Sequence, residues 1–207
     1  MANGRGIPMG QSLMNQYTER MEKEYKEFDL EPTFFSQFAG AEFVAKNYNL
    51  TRKEMDRFSA QSHKRAVLAR DSGHFRREIV PVQQKSNGEN PTVRADGMAI
   101  FDEGIRPKTT EAGLAKLKPL QHGLVTAGQA SQICDGAACL LVCSAAALKK
   151  YGLKPRAKVV SMHVVGCDPV VMLDGPIEAT RQCLKKANLS IDDVDENSYT
   201  FIDFIKT

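Results

Sequence analysis

The fold class is decided by residues 126–155, which read TAGQASQICDGAACLLVCSAAALKKYGLKP. The stretch opens with small residues that expose the backbone, and it continues as a run that is apolar on every side. From this composition we predict a helix over 135–151, buried between layers of structure and rich enough in Ala and Cys for its neighbours to come close. Ser131 or Asp135 can cap its start, and Gly152 follows its end.

The segments downstream predict an alternation of strand and helix. Residues 157–165, AKVVSMHVV, are nearly all apolar, which is typical of a strand covered on both faces in a central parallel sheet. A helix follows within 173–190, where Asp174 can cap the first turn and Pro176 suits its first positions. Because helices alternate with such a strand, we predict an α/β layered architecture.

Three helices are predicted upstream. Apolar residues at three- and four-residue spacing form a stripe on an otherwise charged helix over 11–28. A second helix is predicted over 36–47. The third begins after Thr51, because Thr51 and Glu54 match a capping box, and it ends before Gly73.

The middle of the chain predicts shorter elements. Residues 77–82, REIVPV, have strand character, and residues 83–90, QQKSNGEN, are typical of a turn or surface loop. The sequence of residues 102–119 predicts an extended segment followed by a short helix that ends at Pro119.

Composition excludes several function classes. The 207 residues are 42% hydrophobic and 26% charged with a formal net charge of +3, so a strongly basic nucleic-acid-binding protein is not expected. Five cysteines without CxxC spacing support neither a disulfide framework nor a zinc ribbon, and they favour a reducing compartment. The apolar run 137–148 is far shorter than the roughly 20 residues of a membrane span. No secretory signal opens the sequence, and we therefore expect a soluble, intracellular protein.

The stretch that decides the fold resembles the thiolase-family segment TAGNASGINDGAAALLLMS. Three further blocks, 36–82, 102–119 and 167–184, resemble that family's loop domain and the beginning of its second half, in the same order. The resemblance runs from Arg5 to about Asp195 and is closer to degradative acyl-CoA thiolases than to biosynthetic acetoacetyl-CoA enzymes. On these motifs the chain is identified as an internal portion of a thiolase.

The resemblance implies a partial layered αβαβα fold with a helical loop domain and incomplete sheet halves. It also implies three divisions. Residues 1–121 correspond to the loop domain with its lead-in, 122–154 to the last helix segment of the N-terminal half, and 155–207 to a truncated start of the C-terminal half.

The activity implied by the resemblance is thiolytic cleavage of a 3-ketoacyl-CoA, with coenzyme A as the acceptor of the acyl group. The family uses a nucleophilic cysteine, with a histidine in a GHP motif and a second cysteine in a CxGGG motif, and this sequence contains none of these motifs. The family's NEAFA motif is also missing, since residues 196–201 read ENSYTF. We assign no catalytic residue and expect a catalytically incomplete portion of an acyltransferase. The alternative is a non-catalytic thiolase-like protein that binds acyl-CoA or a partner subunit.

Three residues match binding positions of the family. Arg106 matches an arginine near the adenine end of coenzyme A, Ser131 a serine that contacts the pantetheine arm, and Met172 a methionine that lines the acyl pocket. Without the resemblance, Arg106 is interpreted as a solvated surface arginine, Ser131 as a helix cap and Met172 as a core methionine. A basic excess between Gln61 and Val80 can steer the phosphates of coenzyme A, or be an ordinary solvated helix face.

The remaining expectations concern cofactors and partners. Coenzyme A or acyl-CoA is expected as substrate, without a covalently bound cofactor or a metal, and the complete family protein is expected to be a homo-oligomer. Cys134, Cys139 and Cys143 are expected to pack as small buried hydrophobes, and no histidine is assigned to catalysis. The implied compartment is the cytoplasm, or a mitochondrion or peroxisome in a eukaryote.

Overall fold

The computed structural model divides the chain into two compact units. The described residues are 11–26, 35–84, 97–120 and 123–195, with side chains from residue 15 onward. The first unit contains residues 11–26, 35–44 and 135–195, and the second contains 45–84, 97–120 and 123–134. The lead-in before residue 11, the loop 85–90 and the segment 196–201 lie outside the described residues.

Two N-terminal helices contribute most of the buried residues of the first unit. Helix α1 is Gln11–Tyr25 and helix α2 is Gln37–Asn47, which confirms both predicted helices. Met21 and Tyr25 on the predicted stripe of α1 are fully buried. The Tyr25 hydroxyl accepts a hydrogen bond of 3.1 Å from the Ser36 N–H, and its ring lies 6.3 Å from that of Phe43. The stripe therefore packs against the start and middle of α2.

The C-terminal part of the first unit is a turn followed by a helix. Helix α6, Gly175–Ala187, confirms the predicted helix, with Pro in its first turn and Asn188 in the left-handed conformation at its end. Asp174 occupies the N-cap position, but its side chain makes no capping hydrogen bond. A short 3₁₀ helix, Ile191–Asp193, follows.

The second unit is organised around one long helix. Helix α3 is Arg52–Asp71, and the predicted capping box between Thr51 and Glu54 is present. Gly73 follows with a φ of 75°, which supports the predicted end, and a 3₁₀ helix His74–Arg77 comes next.

Among its described residues, the second unit also has a sheet of two strands and a helical turn. Strand β1, Val82–Gln83, pairs antiparallel with strand β2, Met98–Ala99. The predicted strand over 77–82 is thus wrong except at its last residue, because Arg77 ends a 3₁₀ helix and residues 78–81 form neither helix nor strand. Helix α4, Glu111–Leu114, is the predicted short helix, capped by the Thr110 side chain.

The predicted helix over 135–151 is wrong in its first ten residues. Residues 131–144 are without helix or strand, and helix α5 is only Ala145–Tyr151, capped by Ser144 and followed by Gly152 with a φ of 60°. The side chains are not buried either, since Leu140 is 89% exposed. A short apolar run cannot be assigned to helix or to buried strand by periodicity alone, and here the backbone is not helical.

The predicted strand over 157–165 is also not formed. Residues 157–168 have no regular structure, and Val164 is 91% exposed. A strand exists only when a neighbouring backbone pairs with it, and among the described residues no strand is paired with this segment. The apolar sequence of residues 157–165 favours a strand, but no described strand pairs with it.

Candidate functional site

A groove of about 880 Å³ lies between α3 and the segment that leads into α4. Residues Arg57, Gln61, Lys64 and Leu68 line it from α3, at the three- and four-residue spacing of one helix face. The opposite side includes Pro107, Thr109, Thr110 and Glu111. With Arg57 and Lys64, Arg65 is the third cation among the lining residues, which include one carboxylate, that of Glu111. The groove therefore offers positive charge together with hydroxyl donors.

Arg106 precedes the lining residue Pro107 and is anchored to α3 through its backbone. Its N–H donates a hydrogen bond of 3.2 Å to Nδ1 of His63. Burial, and then the charge of Arg106, hold the pKa of His63 below its usual value. The ring is thus kept neutral, with Nδ1 as an acceptor, while the Arg106 residue is exposed at the edge of the groove.

Ser131 follows a compact loop whose residues are tied to one another. The backbone N–H and the hydroxyl of Thr126 donate to Oε1 of Gln129, at 2.7 and 2.6 Å, and the N–H of Gly128 donates to the Thr126 hydroxyl at 3.1 Å. Ser131 is exposed and does not cap a helix, so its structural alternative as a cap is wrong.

The loops that carry Arg106 and Ser131 approach each other within the second unit. A side chain at Gly104 would overlap the amide group of Gln132, which is the residue after Ser131. Gly104 lies two residues before Arg106. The structure therefore brings together the two loops that carry these predicted binding residues.

Met172 belongs to the first unit, in a tight turn before α6. It is a non-glycine residue in the left-handed region, with a φ of 45°, and it is half-buried. Its N–H donates a hydrogen bond of 2.7 Å to the carbonyl of Asp168, and its own carbonyl accepts from the Cys167 thiol at 3.5 Å. The turn is thus held by local hydrogen bonds.

A polar cluster that was not predicted from the sequence connects α3 to the loop before Ser131. Nε of Arg52 is 3.0 Å from both carboxylate oxygens of Asp56, whose side chain is only 4% exposed. The side-chain amide of Gln129 donates to the same carboxylate from a residue 73 positions away. The i,i+4 spacing of Arg52 and Asp56 was a visible signal for the ion pair, but no pattern indicated Gln129 as the third member.

The cysteines do not pack as predicted. Cys134, Cys139, Cys143 and Cys167 are exposed, Cys183 is half-buried, and all five are free thiols. The expectation of buried cysteines depended on the helix over 135–151, and it is wrong for the same reason. Within the described ranges no group of three His, Cys, Asp or Glu residues is placed to hold a metal ion.

Comparison with known families gives a match along most of the chain. The sequence model described as "Thiolase, N-terminal domain" matches residues 8–146, and the one described as "Thiolase, C-terminal domain" matches residues 153–199. The chain belongs to the thiolase family. Among the parts of this thiolase chain that the structure describes, no helix combines the length and apolar character needed to cross a membrane.

Curated relatives of this thiolase chain are 3-ketoacyl-CoA thiolases. One from Cronobacter sakazakii is 44% identical over 161 residues, which are 75% of this chain and 40% of the relative. A steroid 3-ketoacyl-CoA thiolase from Mycobacterium tuberculosis is 45% identical over 161 residues, which are 77% of this chain and 37% of the relative. The names confirm the resemblance to degradative thiolases, and the chain spans about two fifths of the length of these relatives.

A solved thiolase structure confirms the fold class. Human mitochondrial 3-ketoacyl-CoA thiolase in complex with CoA is 38% identical, with a TM-score of 0.67, over 75% of this chain and 38% of the human chain. The chain therefore has part of the layered α/β thiolase fold.

Proposed function

We propose that this thiolase-family chain binds coenzyme A and its acyl thioesters through the groove between α3 and α4. The observation that supports this most is the basic lining of the groove, by Arg57, Lys64 and Arg65, directly beside the backbone-anchored Arg106. Coenzyme A carries several phosphate charges, which such a lining attracts. The human relative was solved with CoA bound, which agrees with this ligand.

The three predicted binding residues keep their roles as part of the proposal. Arg106 would meet the adenine end or a phosphate, Ser131 the pantetheine arm, and Met172 the acyl chain. The proximity of Gly104 to Gln132 supports a shared ligand for Arg106 and Ser131, which lie on the same two loops.

The parent activity that we propose is thiolytic cleavage of 3-ketoacyl-CoA to acetyl-CoA and a shortened acyl-CoA. The sequence contains neither the GHP nor the CxGGG motif, so we expect this chain alone to bind and not to turn over. The proposed divisions remain 1–121 for the loop domain, 122–154 for the end of the N-terminal half and 155–207 for the start of the C-terminal half. An intracellular compartment and a homo-oligomeric parent belong to the same proposal.

A non-catalytic protein that binds acyl-CoA is the second candidate. The missing catalytic motifs favour it within these 207 residues, while the groove supports both candidates equally. Sequencing the DNA that flanks the coding region distinguishes them. In-frame cysteine and histidine motifs support the acyltransferase, and stop codons on both sides support the binding protein.

Calorimetric titration of the purified chain with coenzyme A tests the binding proposal. We expect Arg106→Ala to weaken binding by about 1–3 kcal/mol, the scale of a lost charge-assisted hydrogen bond. Arg156→Ala, at an exposed arginine in the other unit, is the matched control and should leave the affinity unchanged. An Arg106→Ala variant that folds and binds as tightly as the parent would show that Arg106 is a solvated surface residue and not a contact of coenzyme A.

A further inference from the structure

We propose that Arg52, Asp56 and Gln129 form a positioning network that sets the loop 126–131, and with it Ser131, for the pantetheine arm of coenzyme A. This inference rests on the proposed function, because it assigns residues that act through Ser131. None of the three network residues lines the groove. They are therefore positioning residues and not ligand contacts.

The network begins at a buried carboxylate. Asp56 is 3% exposed, and Nε of Arg52 lies 3.0 Å from each of its oxygens. The side-chain amide of Gln129 donates to Oδ1 of the same group. Since a buried charge is costly unless each of its partners stays in place, Asp56 confines both Arg52 and Gln129.

Gln129 transmits this constraint to its loop because both ends of its amide are used. The nitrogen donates to Asp56, while the oxygen accepts from the backbone and the hydroxyl of fully buried Thr126. A flipped amide would place its NH₂ group against the Thr126 N–H and its oxygen against a carboxylate. The orientation of the amide is thus fixed by its partners, and so is the turn between Thr126 and Gln129.

Arg52 extends the network to α4. Its Nη2 donates to the carbonyl of Leu114 at 2.6 Å and to that of Leu117 at 3.1 Å. The loop lies directly on this helix end, because a Cβ at Gly128 would come within 2.6 Å of a Leu114 methyl group. One ion pair therefore holds both the end of α4 and the loop before Ser131.

Two ligands separate positioning of Ser131 from general stability. Coenzyme A contains the pantetheine arm, whereas 3′,5′-ADP carries the adenine end with its phosphates and lacks the arm. A network that sets Ser131 should change the affinity for coenzyme A much more than that for 3′,5′-ADP. A merely structural network would lower both affinities together, in step with the melting temperature.

The decisive variant is Gln129→Glu, measured by calorimetric titration of the full chain with both ligands and by thermal melting. It keeps the size of the side chain but places a carboxylate against Asp56. We expect the affinity for coenzyme A to fall roughly tenfold, the effect of losing one well-placed hydrogen bond, and the affinity for 3′,5′-ADP to stay within about twofold. The double variant Asp56→Asn with Gln129→Glu exchanges donor and acceptor between positions 56 and 129 but loses the charge of Asp56 beside Arg52, so it should recover only part of the affinity for coenzyme A.

Gln182→Glu is the matched control. Gln182 also donates through its amide to a carboxylate, that of Glu178, but on the exposed surface of α6 in the other unit. Both affinities should be unchanged in this variant.

Three outcomes overturn the inference. They are unchanged affinities for both ligands in Gln129→Glu, a parallel loss of both affinities in that variant, and a folded double variant that recovers none of the lost affinity for coenzyme A. If Gln129→Glu does not fold, the double variant carries the test by itself. Failure of the unaltered chain to bind either ligand contradicts the proposed function instead.

Discussion

Asp168 is a carboxylate of the first unit whose ionised form is stabilised by hydrogen bonds and by an ion pair. Its Oδ2 lies 2.6 Å from Nη1 of Arg20, and its Oδ1 accepts the N–H of Val170 at 2.8 Å. Burial by itself raises the pKa of Asp168, but these hydrogen bonds and the Arg20 charge outweigh burial and lower the pKa below its ordinary value near 3.8. The ionised carboxylate thus holds the turn that carries Met172.

The sign of the pH dependence follows from this lowered pKa. The unfolded chain binds the Asp168 proton at a higher pH than the folded chain does, so the contribution to stability is complete above about pH 4. It is lost as the pH falls through the lower folded value.

We predict that Asp168→Asn removes this part of the acid sensitivity. Asn keeps an oxygen for the Val170 N–H but loses the charge, so at neutral pH the free energy of unfolding should fall by only about 0.5–1 kcal/mol, because the pair with Arg20 is partly exposed to screening solvent. Thermal melts between pH 2.5 and 6 measure the effect. Asp192→Asn, at an exposed carboxylate in the 3₁₀ helix Ile191–Asp193, is the control. Equal acid sensitivity in the parent and in Asp168→Asn would contradict the prediction.

At the same scale, the sequence indicated some of the proposed site residues and not others, for a physical reason. Arg106 and Ser131 could be proposed from the sequence because they lie inside motifs that resemble a family. Gln129 lies in the same motif, but its role depends on Asp56, 73 positions away, and no local pattern contains a contact of that range.

Helix α2 shows how one element depends on a glycine. Gly40 is buried, and a Cβ there would overlap the carbonyl oxygen of Val171 and approach Leu173 to 3.2 Å. The absence of a side chain lets α2 lie directly on the turn that carries Met172. In an exposed helix, the same replacement of Gly by Ala would stabilise by up to about 1 kcal/mol.

We therefore predict that Gly40→Ala destabilises the chain by about 1–3 kcal/mol, the cost of inserting volume into packed structure. Denaturant unfolding measures this free energy. Gly166→Ala is the control, because a Cβ at Gly166 meets no atom within 4 Å. A gain in stability from Gly40→Ala would show that α2 does not pack on this turn.

The elements predicted best from sequence are those with local stop and start signals. Helix α3 has its capping box and helix α6 its early proline, and both signals act within a few residues. Residues 135–144, predicted as helix, and residues 157–165, predicted as strand, form neither element, because the structure of an apolar run depends on what packs or pairs with it. The missing information was tertiary, and the local sequence does not contain it.

On the scale of the whole molecule, two apolar segments among the described residues are largely exposed to solvent. The first is residues 133–143 and the second is residues 159–164. Ile133, Leu140, Leu141 and Val142 are at least 77% exposed in the first segment, and Val164 is 91% exposed in the second. Each such side chain forgoes roughly 1.5–3 kcal/mol of burial, against a total stability of about 5–15 kcal/mol for an ordinary domain.

We predict that the isolated chain self-associates or binds a hydrophobic dye. Analytical ultracentrifugation and dye fluorescence measure the two effects. The double variant Leu140→Ser with Val142→Ser should reduce both, because it removes apolar area that is already in contact with water. A monodisperse monomer with a sharp melt and no dye binding would show that the chain covers these segments itself.

The exposed thiols of the first segment have a practical consequence. Cys139 and Cys143 flank Leu140–Val142, and both are accessible. An alkylating reagent should therefore modify them quickly, and each adduct adds a fixed mass. Slower alkylation upon assembly, read by mass spectrometry, would act as a footprint that records when this stretch becomes shielded from the reagent.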